Sequence, residues 1–154
     1  LNDTIAGNIR FYDDGISDND VEKAARSANI YEFIIQQPDK FNALVGERGL
    51  KLSVGQRQRI VLARILARNP KFLVLDEATS ALDNESEASI QQALDGLRGK
   101  VTMLIIAHRL STLISADRLL VLDGGKVVEE GEPKKLLEDK NSYFYRMYNI
   151  DGQK

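Results

Sequence analysis

Before Val54 the apolar positions of the chain come in short clusters; from there on they come in long runs. The two stretches predict different kinds of structure. In the first, Ser17-Asp18-Asn19-Asp20 offers a cap and an acidic first turn for a helix through about Ser27. Phe33, Ile34 and Ile35 form a small apolar cluster that stops before Pro38, which disfavours helix at the residue preceding it. Phe41 to Gly49 reads as an exposed loop containing two glycines.

The second stretch opens with a strongly apolar helix over Val54 to Arg68, with Ile60, Ala63 and Ala67 on one face and Val61 and Ile65 beside it. Asn69-Pro70 ends that helix. Phe72-Leu73-Val74-Leu75 is a continuous apolar run, the pattern of a strand buried on both faces. A helix from Asn84 to about Leu97 and a second buried strand over Val101 to Ile106 complete a βαβ unit, which implies a parallel sheet. Gly124-Gly125, between Arg118–Asp123 and Lys126–Glu129, signals a two-residue hairpin. Pro133 to Glu138 and Ser142 to Asn149 read as closing helices.

Composition narrows the class without naming a function. The 154 residues are 43% hydrophobic and 29% charged, an ordinary balance for a globular domain with its own core. A net charge of -2 gives no electrostatic reason to expect nucleic acid or an anionic membrane surface as partner. There is no Cys, so disulfides and thiolate metal sites are excluded. The apolar run Val101 to Ala107 falls far short of the roughly 20 residues a membrane helix needs. The chain opens on Leu1 rather than Met, and the expectation is that sequence upstream has been removed.

Candidate chemistry gathers where elements begin and end. Asp76-Glu77 follows the first apolar strand, where open α/β sheets place their ligands. One acid could hold Mg²⁺ and the other orient an attacking water; equally, a strand could end in two solvated acids. Ser53 and Gln56, at the start of the apolar helix, form a capping box, and the same turn, with Gly55, suits a phosphate. His108, the single histidine, sits at the end of the second buried strand, a position for either a catalytic or a structural side chain. Asp83 is a helix cap without need of any function. Arg57, Arg59, Arg64 and Arg68 do not fall on one face, which favours solvated or ion-paired roles over nucleic-acid binding.

Together these pieces resemble the ATP-binding cassette ATPases over essentially the whole chain. Leu52-Ser53-Val54-Gly55-Gln56 is similar to the family's signature, normally Leu-Ser-Gly-Gly-Gln; Phe72 to Glu77 resembles the Walker B strand, Ser80 to Asp83 the D-loop and His108 the switch histidine. Val45-Gly46-Glu47-Arg48-Gly49 is similar to the X-loop of the exporter branch, and Asn2 to Ile9 to the exporter sequence after the Q-loop.

The resemblance implies an α/β fold, the C-terminal part of a P-loop (RecA-like) ATPase. Residues 1–69 would form the helical subdomain and 70–154 the C-terminal half of the core. It implies ATP and Mg²⁺ as cofactors, with Asp76 serving the metal through water, Glu77 as general base and His108 on the γ-phosphate. Ser53, Gly55 and Gln56 would contact ATP held by a second nucleotide-binding domain in a head-to-tail dimer, with Asp83 at that interface. Glu47 and Arg48 would couple the ATP state to the coupling helices of a transmembrane domain, at the cytoplasmic face of a membrane, with no nucleic acid involved. The alternatives are a soluble cassette ATPase acting on DNA or ribosomes, and a non-catalytic piece that only associates. Val54 departs from the usual glycine. No Gly-x-x-x-x-Gly-Lys-Ser/Thr loop occurs, so the chain by itself is expected to be inactive.

Overall fold

A computed structural model describes residues 2–46, 50–76, 84–107 and 110–151. The chain divides into two compact units, Leu1–Ile105 and Ile106–Lys154.

In the first unit, Thr4 caps α1 (Ile5–Arg10) by accepting from the Gly7 N–H, and Ile5 and Ile9 are fully buried. The preceding β1 (Asp3–Thr4) pairs antiparallel with β2 (Leu44–Val45), Asp3 opposite Val45. Part of the expected Phe41–Gly49 loop is therefore ordered backbone: a 3₁₀ turn at Lys40–Asn42 leads into β2, and Ala43 O accepts from Ile5 N at 3.0 Å. Such a short strand carries no alternation that a sequence pattern could reveal.

The expected cap opens α2 (Asp18–Ser27), and the structure makes it a full capping box: Ser17 Oγ accepts from the Asp20 N–H, and Asp20 accepts from the Ser17 N–H. α3 (Tyr31–Ile35) is the apolar cluster before Pro38. α4 (Val54–Leu66) ends two residues before Arg68, because Arg68 N and Asn69 N bond to carbonyls three residues back and Asn69 turns left-handed (φ 49). Ile60, Leu62 and Ala63 of α4 join Ile5, Ile9, Val21, Ala25 and Ile34 in one core.

β3 (Phe72–Asp76) and β4 (Thr102–Ile106) lie side by side in a parallel sheet, with α5 (Asn84–Asp95) as the connection. Leu73 and Leu75 face the core, as do the half-buried Met103 and Ile105. The expectation that these strands are covered on both faces does not hold for this chain. Phe72 is 56% exposed, Val74 53% and Leu104 47%, all at alternate positions on the opposite face.

The second unit is built on a hairpin, β5 (Leu119–Asp123) with β6 (Lys126–Gly131). Gly124 and Gly125 both take positive φ (54° and 76°), the conformation a two-residue hairpin turn demands and side chains resist. Helices α6 (Leu110–Ile114), α7 (Pro133–Glu138) and α8 (Tyr143–Asp151) accompany it, and Leu119, Val121 and Phe144 form its core. Glu129 of β6 reaches the start of α8, accepting from Tyr143 N (3.0 Å), Phe144 N (2.8 Å) and Ser142 Oγ (2.9 Å). Among the described residues no helix is long and apolar enough to cross a membrane.

Candidate functional site

The first turn of α4 is the best-defined part of the site. Ser53 is extended (φ −64°, ψ 166°); its Oγ accepts from Gln56 N at 3.1 Å, while its own N–H donates to Gln56 Oε1 at 2.8 Å. The structural reading of this turn as a capping box is thus realised. It does not use up the chemistry. With Oγ accepting, the Ser53 hydroxyl hydrogen remains a donor. With Oε1 accepting, the Gln56 amide nitrogen remains one too. Val54 and Gly55 are the first two residues of the helix, so their N–H groups have no partner within it. The turn presents donors at the positive end of a 13-residue helix, an arrangement suited to an anion. Val54, where the resemblance expects glycine, points outward at 45% exposure.

Gly55 itself is buried rather than open. Its φ is not in the left-handed region, so conformation does not require glycine here. Space does: a Cβ on Gly55 would lie 2.3 Å from Ser86 Oγ and 2.6 Å from Ser86 Cβ, on the first turns of α5. The sequence reading of Gly55 as room for a ligand misses this neighbour, which no spacing rule links to residue 55.

Asp76 ends β3 and is exposed, at the carboxyl end of a parallel strand. Among the described residues no hydrogen bond or ion pair joins it to the α4 turn. It is one hard oxygen ligand, and no cluster of three metal-ligating side chains occurs among the described residues. That fits Mg²⁺, which is commonly held by one or two carboxylates with water and substrate phosphates. Glu77, Asp83, His108, Glu47 and Arg48 lie outside the described residues.

The other end of α4 carries contacts that sequence patterns did not reveal. Arg64 Nε donates to Asn8 O at 2.8 Å, and Arg68 donates to Arg10 O at 2.8 Å and Phe11 O at 3.3 Å. These two arginines donate to carbonyls in the last turn of α1 and at the residue that follows it. Burial, followed by the like charge of Arg68, pulls the Arg64 guanidinium below its usual pKa. Beyond α1, Phe11 and Tyr12 both take positive φ (46° and 63°), and Tyr12 is 82% exposed.

Residues 2–80 match the profile of the ABC transporter family. The chain is 46% identical over 151 residues to human ATP-binding cassette sub-family B member 5, covering 98% of this chain and 12% of that protein. It is 47% identical over 150 residues to the ATP-dependent lipid A-core flippase of Syntrophus aciditrophicus, covering 97% and 25% respectively. A bacterial Atm1-family ABC exporter solved with ATP bound superposes with a TM-score of 0.83 at 42% identity, over 98% of this chain and 26% of that one. Fold and turn geometry define a segment of an α/β ATP-binding cassette. The chain belongs to the ABC transporter family, and it spans between 12% and 26% of the length of these relatives.

Proposed function

We propose that this chain is the part of an exporter's cassette that contributes the signature turn to an ATP site shared with a second nucleotide-binding domain, and the hydrolytic side chains to the site of its own domain. The observation that carries the reading is the α4 turn. Its capping box leaves the Ser53 hydroxyl, the Gln56 amide and two backbone N–H groups as donors at one helix end. In this reading residues 1–69 act as the helical subdomain and 70–154 as the C-terminal half of the ATPase core. The similarity to exporters at over 40% identity favours it over a soluble cassette working on DNA or ribosomes.

Hydrolysis needs an activated water and stabilisation of the charge that develops on the phosphoryl group. Glu77 accepts a proton from the attacking water, and His108 donates to the γ-phosphate. Asp76 would hold Mg²⁺, which supplies charge neutralisation at the phosphates. Asp83 faces the partner domain. Glu47 and Arg48 meet the coupling helices of a transmembrane domain, placing the cassette at the cytoplasmic face of a membrane. The exposed aromatic turn Phe11–Tyr12, held by Arg64 and Arg68, adds apolar surface for that contact.

The test is Glu77→Gln in the intact transporter. The amide keeps the shape but accepts no proton, so turnover falls by about 10²–10⁴-fold while ATP binding is retained. Turnover within a few-fold of wild type removes Glu77 from the role of base.

A further inference from the structure

α4 and α5 meet through their first turns. Gly55 is the second residue of α4 and Ser86 the third of α5, and a methyl-sized group on Gly55 would overlap the Ser86 side chain at 2.3 and 2.6 Å. Those distances are far inside van der Waals contact, and the Ser86 Cα is only 3.7 Å from the same point. The half-buried Ser86 side chain therefore rests directly on the Gly55 backbone. Because Gly55 does not need its glycine for φ, the missing Cβ is what lets the two helix starts close together.

We infer that Ser86 is a positioning residue for the signature turn: its Cβ and Oγ set how deep Gly55 sits and so where the Val54 and Gly55 N–H groups aim. The inference rests on the reading of that turn as a phosphate contact. Donors contribute to charge stabilisation only when fixed at the right distance, and a shift of a few tenths of an ångström re-aims them. α5 begins directly after the Ser80–Asp83 segment, so the contact also ties the signature turn to the stretch proposed to face the partner domain.

The experiment uses the intact transporter with Gly55→Ala, Ser86→Gly, the double variant, and Ser53→Ala, reading kcat, KM for Mg-ATP and melting temperature. Gly55→Ala lowers kcat by roughly tenfold with KM within about twofold, since ATP is still anchored on the opposite domain. Ser86→Gly, which leaves the turn unsupported, lowers kcat to a lesser degree. The double variant recovers most of the Gly55→Ala loss, because the colliding atoms are gone. A double variant no better in kcat than Gly55→Ala overturns the inference, as does one that recovers melting temperature without kcat. Ser53→Ala separates the two claims: wild-type kcat there removes the phosphate reading of the turn, whereas loss there with no recovery in the double variant removes only the role of Ser86.

Discussion

Arg64 lies over the ring of Phe11, its guanidinium carbon 4.1 Å from the ring centroid, while its Nε holds the Asn8 carbonyl at 2.8 Å. One side chain from α4 thus closes the end of α1 and steadies the first residue of the exposed aromatic turn.

Arg64→Ala removes a charged hydrogen bond and a cation–π contact together, and leaves the Asn8 carbonyl without its guanidinium donor. The expected loss is about 2–3 kcal/mol, most of it from the hydrogen bond. Arg64→Lys recovers only part, because an ammonium lacks the planar group that both stacks and donates. Urea denaturation of the intact cassette reads the difference. A change below about 0.5 kcal/mol for Arg64→Ala, the range of ordinary surface substitutions, contradicts the role given to this side chain.

Glu129 predicts a pH dependence. Burial pushes its carboxyl up, but the N–H groups of Phe144 and Tyr143 and the Ser142 hydroxyl outweigh that and hold it below the ordinary 4.5. A carboxylate lowered in the folded state contributes stability that is fully present above its unfolded pKa. The contribution is lost as pH falls from about 4.5 through the lowered value. Thermal denaturation between neutral and acid pH checks this. Glu129→Gln melts lower than wild type at neutral pH, and the gap narrows in acid as wild type loses the charge. A gap independent of pH contradicts the assignment.

The bare sheet face predicts association. Phe72, Val74 and Leu104 place apolar side chains side by side on the uncovered side of β3 and β4. Such a face in water favours self-association. Sedimentation velocity of the 154-residue chain shows oligomers that grow with concentration, and Phe72→Ser with Leu104→Thr reduces them. A monodisperse monomer at all concentrations contradicts the expectation.

These contacts also show what was legible in the sequence. The α2 cap and the α4 box were readable because caps are local: Ser17 with Asp20 and Ser53 with Gln56 are three residues apart. The β3–α5–β4 unit and the glycine hairpin were readable for the same reason, a period or a dipeptide. Ser86 under Gly55 and Arg64 on Asn8 were not, being 31 and 56 residues distant along the chain, where only folding brings them together. The strand faces misled for a different physical reason. An apolar run reports that a strand suits burial on both sides, and among the described residues Phe72, Val74 and Leu104 of the second side stay exposed.

The central claim is that the chain carries one half of an ATP site, and turnover of the chain alone tests it most directly. The phosphate-cradling loop and its lysine supply much of the affinity of such sites, and no such loop occurs in this sequence. Calorimetric titration of the chain with Mg-ATP, followed by phosphate release with and without an intact cassette, is the measurement. The account predicts binding weaker than micromolar and no turnover by the chain alone; micromolar binding with sustained turnover by the chain alone contradicts it.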